Sequence, residues 1–217
     1  DALTDADENV AVGISALTSD TKGSRAVAIG AGALFTQNFT TATNGYNVAV
    51  GYHAGNDITT GVQNVLMGGL AGDAITDADN NTAIGNAALS TNTVGSQMTA
   101  VGAGALNSVN PATATDMWNT AVGVNAGLSI TTSTFNTLIG ALSGDALTVG
   151  NKNTALGYNT LGSDTKGDRN VAIGTDALAS QNFTTSTDSY NVAVGMNAGT
   201  SVTTGVRNVI VGALAGD

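Results

Sequence analysis

One histidine, His53, and no cysteine narrow the chemistry open to this 217-residue chain. A hydrolase of the Ser-His-Asp type needs a positioned base. The equivalents of His53 in the repeats described below are Asn125 and Asn197, both ordinary turn residues. A lone His cannot assemble a zinc site. Calcium takes clustered oxygen ligands, and Asp73, Asp77 and Asp79, followed by Asn80 and Asn81, have that character. Asp1, Asp5, Asp7 and Glu8 form the matching cluster, but a third copy keeps Asp145 and replaces the other two carboxylates with Val149 and Asn151. A cluster lost from one copy in three fits solvated acidic loops at Asp5/Asp7 and Asp77/Asp79 better than a bound cation. Gly68-Gly69 and Gly102-Ala103-Gly104 lack the Lys-Ser/Thr and the helix that phosphate binding uses. The pairs Thr59-Thr60, Thr131-Thr132 and Thr203-Thr204 come once in every four repeats, too sparse for a flat ice-binding array. No catalytic, cofactor or metal residue is expected, and the chain is not expected to be an enzyme.

What must position any functional residue is a repeat. Twelve copies of Asn-(Val/Thr)-Ala-(Val/Ile)-Gly-x-x-Ala end their first half at Gly13, Gly30, Gly51, Gly68, Gly85, Gly102, Gly123, Gly140, Gly157, Gly174, Gly195 and Gly212. The interval from one glycine to the next is 17, except for 21 after Gly30, Gly102 and Gly174, so four units make a cycle of 72. A short fixed period with one insertion per cycle is the mark of a stacked solenoid. With 29 Gly, one Pro and 4% aromatic residues, the chain suits a narrow prism rather than a thick globular core. The prediction is all-β: a parallel β-solenoid, or β-roll, of about twelve 17- or 21-residue rungs. Residues 1–217 read as one continuous array of cycles 1–72, 73–144 and 145–216. Neither end resembles a polar cap, so a window of a longer fibre is expected.

Each column of the stacked phrase has a physical meaning. Ten of the twelve phrases open with Asn, Ala26 and Met98 being the exceptions. Identical amides on successive parallel strands can form a ladder along the stack. The second column is always Val or Thr, suited to strands. The third is Ala except at Leu66, Leu138 and Ile210, and the fourth is always aliphatic. Alternation puts the second and fourth columns on one face and the third on the other. The bulky pair reads as the packed face. The Ala column implies close approach, either by the far wall of the coil or by another chain. Gly follows where a turn needs φ > 0 or no Cβ. After the next Ala, the core alternates in pairs: Leu17 and Leu34, then Gly55 and Gly72, and so on through each cycle. The longer segments end at Tyr46, Trp118 and Tyr190 and include Phe39 and Phe183, so they are expected to bulge. At roughly 4.8 Å per rung, twelve rungs would extend about 58 Å with a bulge about every 19 Å.

The net charge of −10, from 16 acidic and 6 basic residues, argues against a polyanionic partner. Lys22, Arg25, Lys152, Lys166, Arg169 and Arg207 read as too few and too dispersed for nucleic acid. No run of about 18 apolar residues occurs, so no membrane insertion is expected.

The phrase Asn170-Val171-Ala172-Ile173-Gly174 through Ala177-Leu178 resembles the head repeats of trimeric autotransporter adhesins. Longer units such as Tyr46-Asn47-Val48-Ala49-Val50-Gly51-Tyr52-His53-Ala54-Gly55, followed by Thr59-Thr60-Gly61, resemble repeats in tail-fibre and appendage proteins of marine bacteriophages. The adhesin unit is commonly shorter than the intervals of 17 and 21 found here. The resemblance implies a left-handed parallel β-roll, three chains side by side, and the Ala column would let three coils approach a common axis. It implies a structural and adhesive fibre on a virion or at the cell surface: a phage tail fibre or appendage for host attachment, or alternatively a bacterial adhesin or extracellular filament. Expected partners are two further copies of the chain and a host-surface glycan or protein receptor, touched near Tyr46, Trp118 and Tyr190. An enzyme built on a β-helix is the remaining reading, but here the acids repeat with the loops.

Overall fold

β-branched residues favour extended backbone, and the Val/Thr-Ala-aliphatic triplets form strands of three residues, each stopped by the glycine that follows. The computed structural model describes residues 3–217. It is an all-β parallel β-solenoid of about twelve turns, with no helix among the described residues. The chain divides into two compact units, the first running to Gly104 and including Asn110–Asp116, the second comprising Ala105–Val109 and Met117–Asp217.

The first unit holds β1 (Val10–Val12), β2 (Gly23–Ser24), β3 (Val27–Ile29), β4 (Thr43–Asn44), β5 (Val48–Val50), β6 (Val65–Met67), β7 (Thr82–Ile84), β8 (Gly95–Ser96), β9 (Thr99–Val101) and β10 (Thr115–Asp116). Its main ladder is β1-β3-β5-β6-β7-β9, every pair parallel and phrase on phrase, as in Ala28 opposite Ala49. The second unit holds β11 (Thr120–Val122), β12 (Thr137–Ile139), β13 (Thr154–Leu156), β14 (Gly167–Asp168), β15 (Val171–Ile173), β16 (Thr187–Asp188), β17 (Val192–Val194) and β18 (Val209–Val211). Its ladder β11-β12-β13-β15-β17-β18 has the same register. Each 21-residue rung adds a short second ladder, β2 with β4, β8 with β10, and β14 with β16. Bonding continues around the corners: the amides of Gly30, Gly32, Leu34 and Thr36 donate to the carbonyls of Val12, Ile14, Ala54 and Asn56 at 2.7–3.1 Å. Backbone groups are thereby satisfied from rung to rung even where no strand exists.

The facing of the columns reverses the expectation. Between the terminal rungs the Ala column, with Leu66 and Leu138, is fully buried; Ala11 in the first rung is exposed and Ile210 in the last is half-buried. The Val/Thr and aliphatic columns beside it point outward and are half-buried or exposed: Val12 is 57% exposed and Ile29 38%. The close approach to Ala therefore comes from within the chain's own coil, and these methyl groups are not available to a neighbouring chain. Where the corner is leucine, a coil this narrow leaves room for only a small side chain on the strand; Leu66 and Leu138 fit because Gly72 and Gly144 occupy the corners of their rungs. The larger interior groups come from the corners instead, at Leu17, Leu34, Ile58, Ile75, Leu89, Leu106, Ile130, Leu147, Leu161 and Leu178.

Those corners explain the four-rung cycle. Where the corner residue is glycine, its space is taken by neighbours. A Cβ on Gly55 would meet Leu66 Cδ1 at 2.7 Å and Ile58 Cδ1 at 3.1 Å, and one on Gly127 would meet Leu106 Cδ2 at 2.8 Å and Leu138 Cδ1 at 2.9 Å. Five of the six rungs with Leu at the corner carry a polar residue three positions later, Asp20, Gln37, Asn92, Asp164 or Gln181, the exception being Val109 after Leu106. Rungs with Gly carry Ile58, Ile75, Ile130, Leu147 or Val202. Volume is exchanged between the two positions, as a close-packed interior demands. The phrase glycine answers a different constraint: Gly68 has φ 134°, and a Cβ there would lie 2.6 Å from the Gly85 carbonyl oxygen.

The amide ladder forms as expected. Asn47 Oδ1 accepts from the Asn64 amide at 2.9 Å, Asn64 Oδ1 from Asn81 at 3.0 Å and Asn81 Oδ1 from Met98 at 3.0 Å. Asn119, Asn136, Asn153, Asn170, Asn191 and Asn208 repeat this in the second unit. Most of the Nδ2 groups also reach a carbonyl across the coil, for example Asn64 to Ala78 at 2.8 Å and Asn119 to Ser133 at 2.6 Å, whereas those of Asn170 and Asn208 bond the Oδ1 of the preceding Asn. The long rungs bulge less than expected: Phe39 and Phe183 are buried, and only Tyr46, Trp118 and Tyr190 stay outside.

Candidate functional site

The residue preceding the Asn column occupies a corner with left-handed backbone in every rung. In the first unit the corner residues are Glu8, Arg25, Tyr46, Gln63, Asn80 and Gln97; in the second they are Trp118, Phe135, Lys152, Arg169, Tyr190 and Arg207. Their φ values lie between 50° and 64°. Non-glycine residues rarely adopt this region, and here the ladder holds them there: the amides of Phe135, Lys152, Arg169 and Arg207 donate to Met117, Thr134, Asn151 and Ser189 carbonyls at 2.7–3.1 Å. Such a corner turns its side chains away from the coil, and successive side chains stand one rung apart.

The cations therefore gather in space although they are scattered in sequence. Lys152 and Arg169 occupy adjacent rungs, and Arg207 stands two rungs beyond Arg169. All three share this corner with Trp118, Phe135 and Tyr190, which are 50%, 52% and 44% exposed. Arg169 pairs with Asp188 through Nη1 and lies over the Tyr190 ring, its Cζ 5.4 Å from the centroid. Lys152 and Arg207 make no ion pair among the described residues. An open cavity of about 290 Å³ is bounded by Thr134, Phe135, Asn151, Lys152, Asp168, Arg169 and Asp188. Asp168 is buried and its oxygens are occupied by the Asn151 amide and the Ser186 hydroxyl. In the first unit Arg25 is consumed locally. It bonds Glu8 at 2.8 Å and the Tyr46 hydroxyl at 2.7 Å, with its Cζ 5.6 Å from the Tyr46 centroid. The Glu8 and Tyr46 bonds raise its pKa further above the ordinary range.

The acidic loops are used for bonding between rungs. Asp79 Oδ1 accepts from the Val62 amide at 2.8 Å and Asp77 Oδ1 from the Thr59 hydroxyl at 3.2 Å. No group of three or more His, Asp or Glu side chains converges among the described residues; Asp1 lies outside them. His53 stacks against Tyr52 with ring centroids 4.1 Å apart and borders a largely apolar cavity of about 310 Å³ with Ile14, Phe35 and Asn56. Threonine is more regular than its pairs suggested. Thr4, Thr21, Thr59 and Thr76 stand at one position of successive rungs, with Asn38 among them, but the hydroxyls of Thr4, Thr59 and Thr76 donate to carbonyls of the next rung.

Two buried polar networks escaped sequence reasoning. Gln37 Nε2 donates to Asp20 Oδ2 at 2.6 Å, and Asn47 Nδ2 donates to Gln37 Oε1 at 2.8 Å. Asp164, Gln181 and Asn191 repeat the triplet at 2.6 and 2.7 Å. Burial pushes the Asp164 carboxyl up, against bonds from Gln181 and the Gly167, Phe183 and Lys166 amides. The middle cycle places Asn92 and Val109 at these positions, and Asn92 bonds both the amide and the carbonyl of Gly95. Asp73 and Asp145 are also shifted upward by burial, and the Oδ1 of each has no hydrogen-bond partner. Among the described residues there is no helix long and apolar enough to cross a membrane. Comparison of the chain with protein-family models, curated proteins and solved structures finds no match to any of them.

Proposed function

We propose that this chain is the shaft of an adhesive fibre, assembled from identical copies side by side as a homotrimer. One observation carries the reading: the outward Val/Thr and aliphatic columns run down every rung of both ladders and stay half-buried or exposed. An exposed apolar strip of this extent marks an interaction surface, and a strip that repeats rung by rung is matched in period by another copy of the same chain. Its β-branched side chains lose little rotamer freedom on packing.

The role is mechanical. Continuous ladders make a stiff spacer between an anchor and a recognition tip, and the half-exposed corners at Tyr46, Trp118 and Tyr190 offer repeated weak contacts to a host-surface glycan or protein receptor. The repeat's likeness to phage tail-fibre and appendage proteins favours a virion appendage serving host attachment. Its likeness to adhesin heads supports a second reading, a bacterial surface adhesin or extracellular filament. Neither calls for a catalytic group, a cofactor, nucleic acid or membrane insertion.

Sedimentation of the chain tests the assembly. Three times the chain mass is expected, falling to a single chain in an Ile29→Lys, Ile84→Lys, Ile139→Lys variant with unchanged strand content by circular dichroism. A single-chain mass for the native protein rules the trimer out.

A further inference from the structure

We infer that the corner of the second unit is a binding site for an acidic polysaccharide, with Phe135 and Trp118 as ring-stacking platforms and Lys152 as the carboxylate partner. The inference rests on the adhesive reading and names the ligand class that this edge would take.

The chain carries a net charge of −10 and six cations in all. Three of the six stand in one column of one unit, interleaved with three half-exposed aromatic rings. Two of those cations, Lys152 and Arg207, have no carboxylate partner among the described residues. Acidic residues are abundant, so cations left unpaired beside exposed rings point to a ligand that supplies the negative charge. The cavity of about 290 Å³ beside Phe135 and Lys152 sits near the lower limit of small-ligand sites, roughly 300 Å³. That volume suits one sugar unit.

The spacing favours a chain-like ligand. Trp118 and Phe135 occupy adjacent rungs, roughly 4.8 Å apart, and Tyr190 follows Phe135 three rungs on, about 14 Å. A pyranose has an apolar face for an aromatic ring and a rim of hydroxyls for polar neighbours. A uronic acid adds a carboxylate for the Lys152 ammonium. Nucleic acid is disfavoured because its dense phosphates call for a continuous basic groove, whereas only two unpaired cations stand here within an acidic molecule. The first unit supplies an internal contrast: half of its corner is Gln63, Asn80 and Gln97, and its one cation, Arg25, is held by Glu8 and Tyr46.

Trp118 is the only tryptophan, so its fluorescence reports occupancy directly. The intact chain would be titrated with a hexameric uronate oligosaccharide, a neutral glucan hexamer and a dT hexanucleotide. A saturable change is expected with the uronate alone, weakening as salt is raised. Lys152→Gln and Phe135→Ala should each weaken it by roughly tenfold, the equivalent of about 1.4 kcal/mol, while Gln63→Ala in the first unit leaves it unchanged. No uronate signal, equal response to the neutral or nucleotide ligand, or undiminished binding by both variants overturns the site. Sedimentation run in parallel separates the two readings. A trimer that ignores uronate removes the glycan site and leaves the shaft standing, whereas single chains that bind uronate do the reverse.

Discussion

The two units share a backbone and differ in dress. Both turn their corner residues at φ near 50–64°, both run the Asn ladder down the coil, and both exchange Leu for Gly against polar for aliphatic residues within. On that common frame one corner displays three neutral amides and a closed Glu8–Arg25–Tyr46 cluster, and the other displays rings and open cations. The interior and the hydrogen-bond ladder fix the fold, which leaves outward corner positions free to diverge. Whatever distinguishes one rung from another functionally must therefore be sought at the corners.

The comparison can be broken most forcefully at the phrase glycines. Gly68→Ala in the first unit and Gly123→Ala in the second each force a Cβ into the next rung's backbone at φ 134° and 140°. Each should destabilise by about 3 kcal/mol or more, read as a lower thermal midpoint. Unequal losses would show that the units are not built alike. Next come the ladder amides. Asn64→Ala and Asn136→Ala leave the amides of Asn81 and Asn153 without their side-chain acceptor, a loss of about 2–3 kcal/mol each in denaturant titration, with matching values expected.

The smallest effect sharpens a contrast inside the comparison. Burial raises the Asp164 pKa, so the folded state holds that proton more tightly than the unfolded state does. Its contribution is fully present below the ordinary carboxylate range and is lost as pH rises through the folded-state value. Asp164→Asn with Gln181→Val installs the pair the middle cycle uses, Asn92 and Val109. Stability of the double variant should decline less than that of the native chain between acid and neutral pH. An unchanged slope would mean that Asp164 is not the titrating group.

Much of this was legible in the sequence. Twelve phrases in register predicted the stack, the parallel pairing and the Asn ladder, because each rung must meet the next at the same residue. The direction of the faces was not. A two-residue alternation separates Ala28 from Val27 and Ile29 but does not say which side is inside, and bulk was a misleading guide in a coil too narrow for valine at every strand. Phe39 and Phe183 sat in the inserted segments, where length suggested protrusion, yet they pack inward: a Cβ on Gly23 would lie 2.7 Å from the Phe39 ring. The cationic corner was written in the one-rung spacing of Lys152 and Arg169, and counting charges along the chain hid it. The Asp164–Gln181–Asn191 triplet joins residues 17 and 10 apart, a pairing visible only once the insertion is folded.

The exchange of corner Leu for corner Gly also constrains how such a gene can grow or shrink. A crossover that removes the Gly55 and Gly72 rungs would abut Leu34 and Gln37 with Leu89 and Asn92, making a run of four bulky corners where the native array never sets more than two side by side. Loss or gain of a full cycle restores every neighbour to its own kind. Lengths among descendants of this sequence should accordingly change in steps of four rungs.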